Sequence, residues 1–128
     1  MEKTLKKIKI AITGGMGSGK SKALQLVSEL GYPTFSCDEI YKRIIVSAEY
    51  VESIKNAFPK CVINNQIDRA KLAETIFQDK TKIEKLNSIA HPIIMRQLFE
   101  EMDNSLGKLT FAEVPLLFET NLIIFTSL

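Results

Sequence analysis

From its amino end the chain passes through short β-prone runs separated by longer stretches in which apolar positions recur at helical spacing. The first run, Lys7 to Thr13, is rich in Ile with few breakers and predicts a strand. From Lys22 to Leu30 the apolar residues Ala23, Leu24, Leu26, Val27 and Leu30 predict a helix, with Gly31 as its C-cap. Tyr32 to Cys37 is short and suited to a second strand, and Asp38 can cap the helix that follows. Glu39 to Val46 carries Ile40, Ile44 and Ile45 on one face, and Glu49 to Phe58 continues as helix until Pro59. Lys60 to Ile67 reads as a linker or a short hairpin around Asn64-Asn65. Asp68 caps a helix running to about Gln78, and a longer helical region spans Lys80 to Asp103 with an interruption at Pro92. After a turn at 104–108, Leu109 to Val114 predicts a third, buried strand ending at Pro115.

Strand, helix, strand, several helices, strand is the order of an α/β protein: a parallel sheet flanked by helices in three layers, α/β/α. The expectation is one domain over 1–128, with a helical insertion over 39–105 between the second and third strands. Ligands of such sheets sit beyond the carboxyl ends of the strands, where Gly14, Asp38 and Pro115 all fall.

Between the first strand and the first helix lies Gly14-Gly15-Met16-Gly17-Ser18-Gly19-Lys20-Ser21, a complete match to the phosphate-binding pattern G-x-x-x-x-G-K-[ST]. Glycines let the backbone curl so that its N–H groups ring a polyphosphate, and the following helix turns its positive end toward it. Lys20 would place its ammonium on the β- and γ-phosphates, and the Ser21 hydroxyl would join the shell of a Mg²⁺ ion. Gly15, Met16, Gly17, Ser18, Gly19, Lys20 and Ser21 are therefore the candidate ATP-binding residues. A turn that binds nothing would not require Lys20 and Ser21 after the last glycine.

Phosphoryl transfer is mostly positioning and charge stabilisation, so a second group is needed to orient or deprotonate the attacking atom. Asp38, directly after the second strand, is the leading candidate base, a role compatible with capping. Glu113 ends the third strand and reads equally as an acid near Mg²⁺ or as a solvated strand end. Glu119 follows the apolar Leu116-Leu117-Phe118. His91-Pro92 reads first as a helix kink, Arg69 as a surface ion pair or an anion ligand, and Cys37 as a buried filler.

Composition narrows the classes. With 128 residues, 45% hydrophobic and 25% charged, the chain can bury one ordinary core. The net charge is +2, and the arginines are only Arg43, Arg69 and Arg96, which argues against a nucleic-acid partner. The lysines Lys3, Lys6, Lys7 and Lys9 read as a solvated lead into the first strand. No apolar stretch is long enough for a membrane span or a signal peptide, and two cysteines with one histidine fit no zinc pattern, so a cytoplasmic location is expected.

Taken together, Ala11 to Ser21, Ser36-Cys37-Asp38, Ile67-Asp68-Arg69 leading into Leu72 and Phe77, His91-Pro92-Ile93-Ile94, and Val114-Pro115-Leu116-Leu117-Phe118-Glu119 resemble the dephospho-coenzyme A kinase family. The resemblance reaches to about Asn121. It implies a P-loop kinase fold in which ATP phosphorylates the ribose 3′-hydroxyl of dephospho-CoA, with Mg²⁺. It implies that Asp38 takes the hydroxyl proton and that Arg69, His91 and Glu119 line the acceptor side. Ser36 stands where many members carry an acid, and Lys42 where an arginine is common. The family continues with a further core strand and an arginine-bearing lid. This chain stops at Leu128, and its last run, Leu122 to Leu128, read as an apolar ending with no partner strand, suggests truncation, an early stop or a frameshifted reading. The expectation is a C-terminally truncated kinase with impaired turnover. Rival readings are a related small-molecule or nucleoside kinase, and a non-catalytic ATP-binding fragment that self-associates through a sheet edge.

Overall fold

The computed structural model describes residues 7–13, 19–114 and 123–126, with only the backbone of Lys20 and of 123–126. It divides into two compact units: one holds Met1–Glu39 with Gln97–Leu128, the other Ile40–Arg96. The chain passes from one to the other within helices α2 (Cys37–Ile44) and α5 (Lys80–Asp103).

The first unit is built on a four-stranded parallel sheet of β1 (Ile8–Thr13), β2 (Thr34–Ser36), β5 (Leu109–Glu113) and β6 (Ile123–Thr126), in the order β2-β5-β1-β6. Side chains alternate across a strand, so Ile8, Ile10 and Ile12 share one face. There Ile10, Ile12 and Phe111 form a core on which Ala23, Leu24 and Val27 of α1 (Lys20–Glu29) pack. On the opposite face Lys9 pairs with Asp103 at 2.7 Å and lies 5.7 Å from the ring centroid of Phe99, which sets the last turns of α5 against that side. The unit is thus the three-layer α/β/α arrangement.

Helix α1 ends as its sequence dictates. Gly31 takes φ +96°, its N–H bonds the Ser28 carbonyl, and Tyr32 N–H reaches back to Val27, which closes a Schellman turn.

Four features depart from the sequence reading. Of the leading lysines, Lys3 and Lys6 lie outside the described residues, while Lys7 and Lys9 are engaged rather than solvated: Lys7 Nζ donates to the Ser105 carbonyl at 2.6 Å and to the Gly107 carbonyl, and Lys9 is paired as above. Helix α2 begins at Cys37, so Asp38 sits in its first turn, where its charge favours the helix dipole, instead of capping it. Helix α5 runs unbroken through Pro92. A helical proline costs about 3 kcal/mol, yet Ala90, Ile93, Ile94, Leu98 and Met102 are all buried, and each large side chain returns about 1.5–3 kcal/mol. The apolar run near the carboxyl end does have a partner: β6 pairs with β1, Ile10 opposite Ile123 and Thr13 opposite Thr126.

The second unit carries α3 (Ala48–Ala57), a 3₁₀ turn at Pro59–Cys61, a hairpin of β3 (Val62–Ile63) and β4 (Gln66–Ile67), α4 (Arg69–Ile76) and the first part of α5. Asn64 and Asn65 both have positive φ, 52° and 61°, the pair a type I′ hairpin turn needs, so the segment is a hairpin and not a linker. Ser47 and Asp68 cap α3 and α4 by accepting from Tyr50 N–H and Lys71 N–H. This unit lies inside the interval 39–105. Among the described residues no helix is long and apolar enough to cross a membrane.

One core position is imperfect. Thr110 of β5 is fully buried, and its Oγ1 has no hydrogen-bond partner among the described residues. Valine has the same shape without the stranded hydroxyl, so Thr110→Val is expected to raise stability by about 1 kcal/mol, read as a higher urea midpoint at unchanged slope. A lower midpoint would mean the hydroxyl is satisfied.

Candidate functional site

Strand order brings the site together. Because β5 lies between β1 and β2, its last residue, Glu113, faces Ile12 of β1 on one side and Ser36 of β2 on the other. All three strands point the same way, so their carboxyl ends open on one rim. In the sequence the phosphate-binding octapeptide follows β1 directly. Of it, Gly14 to Ser18 lie outside the described residues, so the predicted contacts of Gly15, Met16, Gly17 and Ser18 have no geometry here. Gly19 is the N-cap of α1 with φ 86° and ψ 14°, a left-handed conformation suited to glycine, and Lys20 is the first helical residue. No acidic residue occupies the first turn of α1, which leaves its positive end uncompensated by its own side chains.

Ser21 Oγ donates to Glu113 Oε2 at 3.1 Å, and Ser36 Oγ donates to Glu113 Oε1 at 3.4 Å. Both oxygens of a half-buried carboxylate are thus held by hydroxyls from α1 and β2. Glu113 is therefore not a strand end that merely meets solvent. Ser36, noted in the sequence only as the place of a missing acid, is the residue that steadies it. Asp38 follows Ser36 by two residues and is exposed at the start of α2, on the rim side of β2. Nothing in the sequence marks the Ser36–Glu113 contact, since the two are separated by 77 residues. Among the described residues no three His, Cys, Asp or Glu side chains cluster as a metal site. The oxygen pair from Ser21 and Glu113 nonetheless matches what a Mg²⁺ ion takes from a protein when phosphates and water complete its shell.

The remaining candidates belong to the second unit. Arg69 opens α4, is exposed, enters no ion pair among the described residues, and lines a cavity of about 560 Å³. The surface ion pair expected for it is thus not formed there. His91 lies within α5, half-buried and outside that cavity's wall. Burial holds its imidazole below the usual histidine range, so it is neutral at pH 7. Glu119 lies outside the described residues.

A parallel α/β sheet with a G-x-x-x-x-G-K-S segment leaving its β1 strand, and an acid on the adjacent strand end bonded to the segment's serine, defines a P-loop nucleotide-binding protein. The family model for dephospho-CoA kinase matches residues 8–127. A dephospho-CoA kinase of Thermus thermophilus is 38% identical over 110 residues, covering 86% of this chain and 53% of that protein. One from Fusobacterium nucleatum is 36% identical over 115 residues, covering 88% and 60%. Among solved structures, a Thermus thermophilus protein matches with TM-score 0.72 at 37% identity, over 91% of this chain and 60% of that one. Dephospho-CoA kinase from Campylobacter jejuni matches with TM-score 0.64 at 25% identity, over 94% and 64%. The chain belongs to the dephospho-CoA kinase family. It spans a little over half the length of the curated relatives it matches.

Proposed function

We propose that the protein transfers the γ-phosphoryl group of ATP to the ribose 3′-hydroxyl of dephospho-CoA, giving CoA and ADP, the last step of coenzyme A synthesis, in the cytosol. The observation that carries this reading is the Ser21–Glu113 contact at the sheet rim, because it joins the phosphate-binding segment to an acid on the neighbouring strand. The backbone of Gly15 to Gly19 and the Lys20 ammonium hold the triphosphate. Ser21 and Glu113 would hold Mg²⁺, which when bound neutralises charge on the β- and γ-phosphates. Asp38 accepts the proton as the 3′-oxygen bonds to the γ-phosphorus, while the bond from that phosphorus to the β–γ bridging oxygen breaks and ADP leaves. Unit 40–96 serves as the acceptor-binding insertion, with Arg69 facing acceptor anions and His91 acting as a neutral hydrogen-bonding group. Glu119 is assigned to the acceptor side on family likeness alone. Buried, unbridged Cys37 and Cys61 suit a reducing compartment.

Incubation with ATP and, in parallel, dephospho-CoA, nucleosides and shikimate tests the reading. The expected result is a 3′-phosphorylated product from dephospho-CoA only. Phosphorylation of a nucleoside or shikimate in its place would assign another acceptor. ATP binding without transfer to any acceptor would leave a nucleotide-binding protein without kinase function.

A further inference from the structure

Within the second unit, α3, α4 and the β3–β4 hairpin enclose, with the end of α2, the cavity of about 560 Å³ that Arg69 lines. That volume falls in the range of about 300–1,000 Å³ typical of small-molecule sites. Its wall is mostly aliphatic, with Ile45, Val51, Ile67 and Leu72 among the contributors, and among the described residues it contains one cation, Arg69, and no carboxylate. Such a wall suits a ligand that is aliphatic along its length and anionic at one end. Hydrogen-bonding side chains interrupt it: the amides of Asn65 and Gln66, and a pair of tyrosines. Tyr41 and Tyr50 both line the cavity, their hydroxyl oxygens 3.3 Å apart and their rings edge to face at a centroid distance of 6.0 Å.

The protons of that pair can be placed. Tyr50 is 1% exposed, and burial, then the bond to Tyr41, raises its phenol far above the ordinary value, so it stays protonated. Two hydroxyls carry two protons, and the bond between them uses one. If Tyr41 donated, the buried Tyr50 proton would be left without an acceptor, which is the costly arrangement. Tyr50 therefore donates and Tyr41 accepts, and the O–H of the half-buried Tyr41 remains to serve the cavity.

Resting on the acceptor reading above, we infer that Tyr41 is a specificity-determining residue, whose hydroxyl donates to an amide carbonyl of the acceptor's pantetheine arm while Arg69 meets its diphosphate. The arm has the matching chemistry: aliphatic segments joined by amides and ending in phosphate. Tyr50 acts through Tyr41, as a positioning residue.

Calorimetric titration of the full chain with dephospho-CoA, with pantetheine 4′-phosphate and with a non-hydrolysable ATP analogue tests this. Tyr41→Phe is expected to weaken both pantetheine-bearing probes by about tenfold and leave the ATP analogue unchanged, the loss of one neutral hydrogen bond. Because Tyr41→Phe strands the Tyr50 proton, the double variant Tyr41→Phe with Tyr50→Phe separates binding from folding. Replacing both partners by the same apolar shape should restore the melting temperature and not the affinity. Wild-type affinity for the arm in the double variant would overturn the inference while leaving the acceptor reading in place. Wild-type protein that binds the ATP analogue and neither pantetheine-bearing probe would overturn the acceptor reading, and this inference with it.

Discussion

Replacing Asp38 with Asn is expected to lower the rate of phosphoryl transfer to dephospho-CoA by a factor of about 10² or more, with ATP affinity unchanged. The amide fills the same space and can still hydrogen-bond, but it has no oxygen able to take the ribose proton, so only the proton-accepting step is removed. The position favours this role because the acid is placed by β2 rather than by the phosphate-binding segment. It follows Ser36, whose hydroxyl is tied to Glu113 on the neighbouring strand, and it opens α2 with its side chain exposed. A residue whose only task was to favour the helix dipole would be worth about 0.3–1 kcal/mol of stability and nothing in turnover. The two roles therefore separate cleanly by measurement. Turnover of the Asn variant within threefold of wild type, alongside a small drop in melting temperature, would return Asp38 to a helix-end charge and leave the base unidentified.

What the sequence carried of this site, and what it did not, follows from the range over which each feature is determined. The phosphate-binding segment is legible because its residue types must stand at fixed spacing within eight positions, and Gly19 and Lys20 do mark the entrance to α1. The Asn64-Asn65 turn and the Gly31 ending are local for the same reason: each needs a positive φ that few other residues adopt cheaply. Glu113 was half legible. Its place at a strand end could be read, but its partners lie 92 and 77 residues away, and only the insertion of β5 between β1 and β2 brings them together. The partner of the apolar Ile123–Thr126 run was hidden likewise, because parallel pairing with β1 leaves no local signal. At Pro92 a local rule pointed the wrong way, since burial along both halves of α5 outweighs the bond that proline removes. The Tyr41–Tyr50 pair spans two helices and shows no motif at all.

The second large effect is expected at Glu113. On the proposed reading, a carboxylate fixed at the rim where a triphosphate would dock is unfavourable by itself: two like unit charges 5 Å apart repel by about 3 kcal/mol at an effective dielectric of 20. Its hydrogen bond to Ser21 holds it there all the same, and the conflict disappears if both oxygens face a divalent cation shared with the phosphates. Glu113→Gln keeps the size and one acceptor oxygen but removes the charge. Turnover is expected to fall by about 10², and the Mg²⁺ concentration for half-maximal rate to rise by about tenfold, while ATP binding measured without Mg²⁺ is unchanged or tighter. Ser36→Ala removes only the longer, 3.4 Å contact and is expected to cost less than threefold in rate. This ordering distinguishes a cation ligand from a packing residue. If Gln at 113 lowers stability but leaves both the rate and the Mg²⁺ requirement as they were, the carboxylate is structural. The hydroxyl of Ser21 would then have to meet the cation without it.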